Sequence, residues 1–520
     1  MLAALLAAFP AWAEAPAGPE RGKAEDSAVC AETPAARERG KAEAPAVCAE
    51  TPAGPERGKA EAPAVCAEAP AGPERGKAET PAGPNRDKAA LGAETGDAPV
   101  SLRRPRESSG ARKGREAAPQ VKLYGFVRTY CAFDTRESVA GTEDFFYYMP
   151  KDENITASGD DLNGQMSMRF ATLTSRLGVN VSGYESGGLK MGAKIEADFY
   201  SGLSGVTGTA TMRMRQAYAT IGGEGWGILA GQAWHPMADD KADVFSLNSG
   251  APFGPFSRTP QFKLDVHLAG PVSLTAAALW QMQYTSAGPA GPSANYIKYG
   301  CTPEIYAGVN FASNGLLLRL GVDVLSIRPR TNDGSAKVSD RITTVSPYAY
   351  AQYRSGLFCF KAKTIMAQAG EHFNLNGGYG ISGIKSDGVS YEYTPTQNAS
   401  SWVSLTFGKR TQWILFGGYV RNFGTRDVLL GSRDGYAPAA NLYFSKNSFS
   451  NMNRMWRVTP SVVRNIGKLS LGIEYEITSV QYGSYKTVDG VKMIGCYGLA
   501  QDNLHWITNH RIQALVKFSF

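Results

Sequence analysis

The chain has 520 residues, of which 10% are aromatic and 19% charged, and no run approaches the ~18 apolar residues of a helical span. A helical membrane protein is therefore excluded. The net charge is +7, but Met1–Gln120 holds 17 of the basic and 18 of the acidic residues, so the excess lies beyond it. There the basic residues stand singly at alternate positions and not in a stripe beside aromatics, which argues against a nucleic-acid partner.

In chain order, the apolar stretch Leu2 to Phe9 followed by Ala11-Trp12-Ala13 reads as an export signal over residues 1–13. The usual basic n-region is missing, so the true start is expected upstream of Met1. Residues 14–120 are dominated by Ala, Pro, Glu, Gly, Lys and Arg, and repeat every 18 residues as Lys23–Gly40, Lys41–Gly58 and Lys59–Gly76, with a decayed copy from Lys77. With almost nothing large and apolar to bury, nothing offsets the entropy of ordering this segment, and a disordered, low-complexity spacer is expected. Cys30, Cys48 and Cys66 recur once per copy. They could form interchain disulfides or capture metal, but duplication with the repeat explains them more simply, and the even spacing matches no zinc pattern. Cys131, Cys301, Cys359 and Cys496 are too scattered for a disulfide framework.

Residues 121–520 change character. Leu189, Met191, Ala193, Ile195, Ala197 and Phe199 alternate with Lys190, Lys194, Glu196, Asp198 and Tyr200. The period of two recurs in Val121 to Asp134 (Leu123, Val127 and Phe133 against Lys122, Arg128 and Asp134), and in Ala171 to Gly183 (Leu173, Leu177, Val179 and Val181 against Arg176 and Asn180). Late in the chain Leu469, Leu471, Ile473, Tyr475 and Ile477 oppose Ser470, Glu474 and Glu476. About sixteen such segments can be counted. They begin near Val121, Ala171, Leu189, Met212, Trp226, Gln261, Val272, Thr302, Leu316, Arg341, Leu357, Ser401, Trp413, Arg454, Leu469 and His510. Short turn-rich connections (Ser186–Gly188, Gly222–Gly225, Gly270–Pro271, Ser313–Gly315, Arg354–Gly356, Gly408–Gln412, Asn465–Lys468) alternate with longer ones. Lipid satisfies no backbone hydrogen bonds, so strands can span it only as a closed sheet. The reading is an all-β fold: a transmembrane antiparallel up-and-down β-barrel of about 16 strands in the bacterial outer membrane, with both ends in the periplasm. A barrel of that size leaves room for an aqueous channel.

Several motifs carry a family resemblance. The chain ends Asn509-His510-Arg511-Ile512-Gln513-Ala514-Leu515-Val516-Lys517-Phe518-Ser519-Phe520, which resembles the assembly signature of outer-membrane barrels. Leu123-Tyr124-Gly125-Phe126-Val127-Arg128 resembles a porin first strand. Gly227-Ile228-Leu229-Ala230-Gly231-Gln232-Ala233-Trp234-His235-Pro236, Arg258-Thr259-Pro260-Gln261 and Met455-Trp456-Arg457-Val458-Thr459-Pro460 resemble segments of DcaP-like porins. The resemblance covers about Val121 to Phe520. It implies a homotrimer of sixteen-stranded barrels passing small, often anionic, solutes. Where related porins carry an N-terminal coiled coil, this Pro-rich repeat has no heptads, so trimerisation through it is not expected.

The resemblance further implies that the loop from about His235 to Pro260 folds into the lumen and sets its narrowest point. Asp239, Asp240, Lys241 and Asp243 lie on that loop, while Arg128, Arg176, Lys194, Arg213 and Arg215 project inward from the first four strands. Such charges would filter solutes in a low-dielectric neck; the plainer reading is that they pair with one another and solvate a wide pore. Arg319, Lys361 and Lys363 also have lumen parity, offset by Asp265, Asp323, Glu474 and Glu476. His235, His267, His372, His505 and His510 are mostly far apart, and no phosphate loop, HExxH or CxxC motif is present. No catalytic residue, metal or cofactor is expected; His267 with Asp265 reads as lumen lining. The leading expectation is a diffusion porin for small hydrophilic, anion-leaning solutes. The alternatives are a structural or adhesive barrel whose outer loops bind a partner, and a plugged transporter, against which the low-complexity N-terminal segment argues.

Overall fold

The computed structural model describes residues 119–141, 145–200, 210–445 and 447–520. The expected export signal and nearly all of the repeat segment, including Cys30, Cys48 and Cys66, lie outside them. The remainder forms one closed antiparallel sheet of sixteen long strands, with three short accessory strands at the long-loop end.

The strands are β1 Gln120–Asp134, β2 Arg176–Ser186, β3 Leu189–Tyr200, β4 Thr211–Gly223, β5 Trp226–Trp234, β6 Arg258–Ala269, β7 Val272–Leu279 and β8 Glu304–Ser313. They continue as β9 Leu316–Ile327, β10 Ile342–Ser355, β11 Phe358–Gln368, β12 Tyr391–Phe407, β13 Thr411–Thr425, β14 Met452–Ile466, β15 Leu469–Ser484 and β16 Asp502–Ser519. Each of the sixteen segments read from the sequence corresponds to one strand. Most starts agree to within a few residues, but two strands begin well before the point their alternation suggested. β12 starts at Tyr391 instead of Ser401, and β16 at Asp502 instead of His510. These extensions carry aromatic side chains at alternate positions (Tyr391 and Tyr393 in β12, Trp506 in β16), as at the edge of a lipid band. The second segment is also interrupted: Ser167–Ala171 pairs with the upper half of β1 and β2 with its lower half, and residues 172–175 break the ladder between them.

The barrel closes where β1 meets β16, with Phe126 opposite Ser519 through Asp134 opposite Arg511. The last residue takes part. The Phe520 N–H donates to the Gly125 carbonyl at 3.0 Å and the Gly125 N–H to the Phe520 carbonyl at 3.3 Å. Gly125 is required there, because a Cβ would stand 2.4 Å from the Arg176 carbonyl oxygen and 2.7 Å from the Phe520 ring.

The sheet is inverted relative to a soluble protein. Leu123, Ile195, Phe262, Leu320 and Ile473 are all more than half exposed, whereas Glu474, Arg511 and Gln513 are completely buried. An exposed apolar band of this kind is stable only against lipid, which removes it from water at roughly 25 cal/mol per Å².

At the long-loop end, several connections turn into the barrel instead of away from it. In the first loop, residues 135–175, Ser138–Gly141 pairs with Phe146–Pro150, and Tyr147, Tyr148 and Met149 are fully buried. The third loop, residues 235–257, is almost wholly buried. In the sixth, residues 369–390, the 3-10 turn Gly370–Phe373 is buried at all four positions.

Candidate pore constriction

The third loop is fastened across the lumen by wall groups it meets along its length. The Phe245 and Ser246 N–H groups donate to the two oxygens of Glu474 at 3.0 and 3.1 Å. Tyr130 Oη donates to the Phe245 carbonyl at 2.7 Å, and Arg457 Nη1 to the Ala251 carbonyl at 3.0 Å. Lys361 Nζ binds Asp243 Oδ1 at 2.5 Å, and Thr406 Oγ1 donates to Asp243 Oδ2 at 2.9 Å. Lys363 Nζ caps the carbonyls of Met237, at 2.6 Å, and of Asp240. Phe253 seats edge-on to Phe416, with ring centroids 5.9 Å apart. Gly418 makes this seat possible, because a Cβ there would lie 2.3 Å from the Phe253 ring. These anchors come from β1 and from β11 to β15, so the loop crosses the barrel and closes off that side.

On the other side of the loop is a cavity of about 390 Å³. Its wall carries Arg128, Arg176, Arg213, Arg215 and Arg258 with Asp198, and its loop side includes Phe146, Tyr148, Leu247, Ser249, Phe256 and Tyr284. Two carboxylates organise the arginines. Asp198 takes Arg213 Nε and Nη2, each at 2.9 Å, and Arg215 Nη1 at 2.6 Å. Glu196 takes Arg215 Nε at 3.0 Å, lies 3.5 Å from Arg176 Nη1 and accepts from Tyr124 Oη at 3.0 Å. Arg128 donates to Thr174 Oγ1 through Nε at 3.2 Å and Nη2 at 2.8 Å, and its guanidinium lies 4.9 Å from the Tyr130 ring centroid. Five guanidiniums thus line one small space, with Asp198 among them and Glu196 beside it.

Thr174 shows what this arrangement demands. It sits in the break between the two parts of the second segment at φ 74°, a left-handed conformation that a β-branched residue seldom adopts. Its N–H donates to the Phe199 carbonyl at 3.2 Å while its hydroxyl faces Arg128. The broken ladder thus turns a wall hydroxyl toward the cavity.

The nine charged residues expected at the neck separate into groups. Arg128, Arg176, Arg213 and Arg215 converge on the cavity, with Met212 largely exposed on the outer face as parity requires. Asp240 and Asp243 turn to the opposite wall, where Arg319 Nε meets Asp240 Oδ2 at 2.7 Å and Lys361 meets Asp243. Lys241 lies over the Trp234 ring, its Nζ 3.6 Å from the centroid. Lys194 is buried, with Nζ 5.3 Å from the Tyr124 ring centroid. Asp239 is half-buried, and its charge acts on Lys194 and Lys363.

Arg258 was not among the expected residues. It shares parity with the exposed Phe262 and Leu264, yet is 2% exposed and lines the cavity. It is the first residue of β6, at the junction with the third loop, where the pleat no longer dictates direction. It stacks on Trp234 with its Cζ 4.6 Å from the ring centroid, and its Nη1 has no hydrogen-bond partner among the described residues. Parity could not have found it; the signals available were its place in the Arg258-Thr259-Pro260-Gln261 motif and the neighbouring aromatics Trp234 and Phe256.

No family model matches the chain, and no curated protein matches it. Among solved structures, it is similar in fold to the outer membrane channel DcaP of Acinetobacter baumannii, with 17% identity, a TM-score of 0.52 and coverage of 77% of this chain and 97% of that one. It also aligns with the anion-selective porin from Comamonas acidovorans, at 14% identity, a TM-score of 0.45 and coverage of 77% and 100%. For Salmonella typhi OmpF the values are 11%, 0.41, 77% and 97%. At such identities the likeness is one of fold, a porin-like sixteen-stranded barrel.

Proposed function

We propose that this chain is a bacterial outer-membrane porin that passes small hydrophilic, anion-leaning solutes by passive diffusion and performs no catalysis. The observation that carries the reading is the cavity beside the third loop, which five arginines line. In a narrow space with low-dielectric walls, a surplus of fixed positive charge lowers the barrier for anions and raises it for cations. Arginine suits a carboxylate-bearing solute, because its planar fork can give two parallel hydrogen bonds. The barrel works as a homotrimer, with the repeat segment on the periplasmic side.

A second reading, a structural or adhesive barrel, is favoured by the dense packing of Tyr147, Met149, Met237, Phe253 and Phe373 inside the barrel. Conductance of the purified, heat-modifiable protein in a planar bilayer separates the two. Three-step closures with a reversal potential leaning toward anions under a salt gradient support the trimeric porin. A folded protein with no conductance overturns it in favour of the second reading.

A further inference from the structure

Away from the arginine cavity, four ionisable side chains from four different parts of the chain meet in a dry pocket. His235 opens the third loop, Glu304 is the first residue of β8, Asp323 lies on β9 and His372 lies in the buried turn of the sixth loop. All four are at most 2% exposed. His235 Nε2 is 3.0 Å from Glu304 Oε1 and 3.6 Å from Asp323 Oδ1. His372 Nε2 is 3.7 Å from Glu304 Oε1 and 3.9 Å from Asp323 Oδ2. One donor atom each from His235, Glu304 and Asp323 lies within 4.8 Å of the other two. Aromatic rings surround the imidazoles: Phe373 is 5.0 Å from His235 and 3.8 Å from His372 between centroids, and Tyr306 is 6.1 Å from His235.

We propose that His235, Glu304, Asp323 and His372 form a binding site for one divalent transition metal of the zinc class, which ties the third and sixth loops to the wall at β8 and β9. Three observations lead there. First, His235 Nε2, His372 Nε2 and all four carboxylate oxygens lack an aligned hydrogen-bond partner among the described residues, although each is buried. Buried polar atoms are ordinarily satisfied, and six converging exceptions are what a set of metal ligands looks like. Second, a tetrahedral site with bonds of about 2.0–2.2 Å places its ligand atoms roughly 3.3–3.6 Å apart; the His235–carboxylate distances of 3.0 and 3.6 Å bracket that spacing, and His372, at 3.7 and 3.9 Å, stands just outside the close set and would move in as the fourth ligand. Third, the two carboxylates carry two negative charges in a place that water does not reach, with the buried Glu371 beside His372 as a further acid, and a divalent cation offsets charge of that sign.

The outer contacts differ between the two imidazoles. His372 Nδ1 faces the Ala369 carbonyl at 3.0 Å, which holds the ring proton on Nδ1 and leaves the Nε2 lone pair for a metal. His235 Nδ1 accepts from the Met237 N–H at 3.2 Å. Metal binding at its Nε2 moves the ring proton to Nδ1 and exchanges that contact for a metal–nitrogen bond. Protons on both imidazoles would also neutralise the cluster, through the same imidazole–carboxylate pairs, and the metal content of the protein separates the two states.

The test uses the full chain with its thiols alkylated, so that the cysteines cannot take up metal. The folded protein is stripped with chelator, loaded with Zn²⁺, freed of excess and analysed for metal. One zinc per chain is expected, falling at least tenfold in a His235→Gln/His372→Gln variant that stays heat-modifiable. Co²⁺ loading of the unmutated chain gives a second readout that needs no variant: visible d–d absorption from a nitrogen–oxygen site is expected. Less than one-tenth of an equivalent of zinc in the unmutated chain, no d–d absorption with Co²⁺, or full retention of zinc in the double variant would each overturn the site.

Discussion

At the scale of single residues, charge balance decides the chemistry of the cavity. Arg213 and Arg215 share Asp198, so removing either guanidinium changes both the net charge and the hold on its neighbour. A unit charge about 4 Å away in water-like surroundings is worth ~1 kcal/mol. Arg213→Gln with Arg215→Gln is therefore expected to lower the anion-to-cation permeability ratio by roughly fivefold or more, read from reversal potentials under a KCl gradient. Thr174 provides a separate check. Thr174→Gly relieves a left-handed conformation, worth about 1 kcal/mol or more, but removes one acceptor of Arg128, at a similar loss. Thr174→Ala loses the acceptor and keeps the strain. Urea unfolding of the barrel in micelles is expected to show the glycine variant near the parent and the alanine variant about 1–2 kcal/mol below it.

At the scale of elements, the third loop is held by side chains that strand parity had already turned inward. Lys361, Lys363, Arg457 and Glu474 are lumen residues of β11, β14 and β15, and each meets a backbone or carboxylate group of the loop. Phe253 adds the apolar seat against Phe416. Phe253→Ala removes a fully buried ring and is expected to cost about 3–5 kcal/mol of packing. Because the loop lies in a barrel whose ladder is independent of it, the loss should appear as loop release. The expected readout is higher single-channel conductance and protease cleavage within residues 235–257, with the heat-modifiable barrel retained.

At the scale of the whole molecule, stability depends on which medium meets which face. Ile473 is 64% exposed at mid-strand, while its neighbour Glu474 is completely buried and binds the third loop. Ile473→Arg puts a charge into the lipid band and is expected to destabilise the folded barrel by about 2–4 kcal/mol in bilayers, measured as a shift in the urea midpoint on folding into vesicles; Ile473→Leu should leave it near the parent. The inversion also explains why overall hydropathy conceals the fold: apolar residues occupy one side of each strand only, so no window of sequence becomes strongly apolar.

Sixteen strands, the short-turn connections and the inward or outward direction of most side chains were determined by the sequence alone. Alternation and turn chemistry are local, and the requirement that a membrane sheet close leaves little freedom once they are set. The tertiary structure decided which inward groups meet. The four wall arginines were legible by parity, but their convergence with Arg258, the turning of Asp240 and Asp243 toward Arg319 and Lys361, and the approach of His235 and His372 to the same carboxylates all depend on the paths of loops across the lumen. Strand periodicity says nothing about such paths. They follow from packing and charge pairing between residues far apart in the chain, and those pairings exist only after the barrel has closed around them.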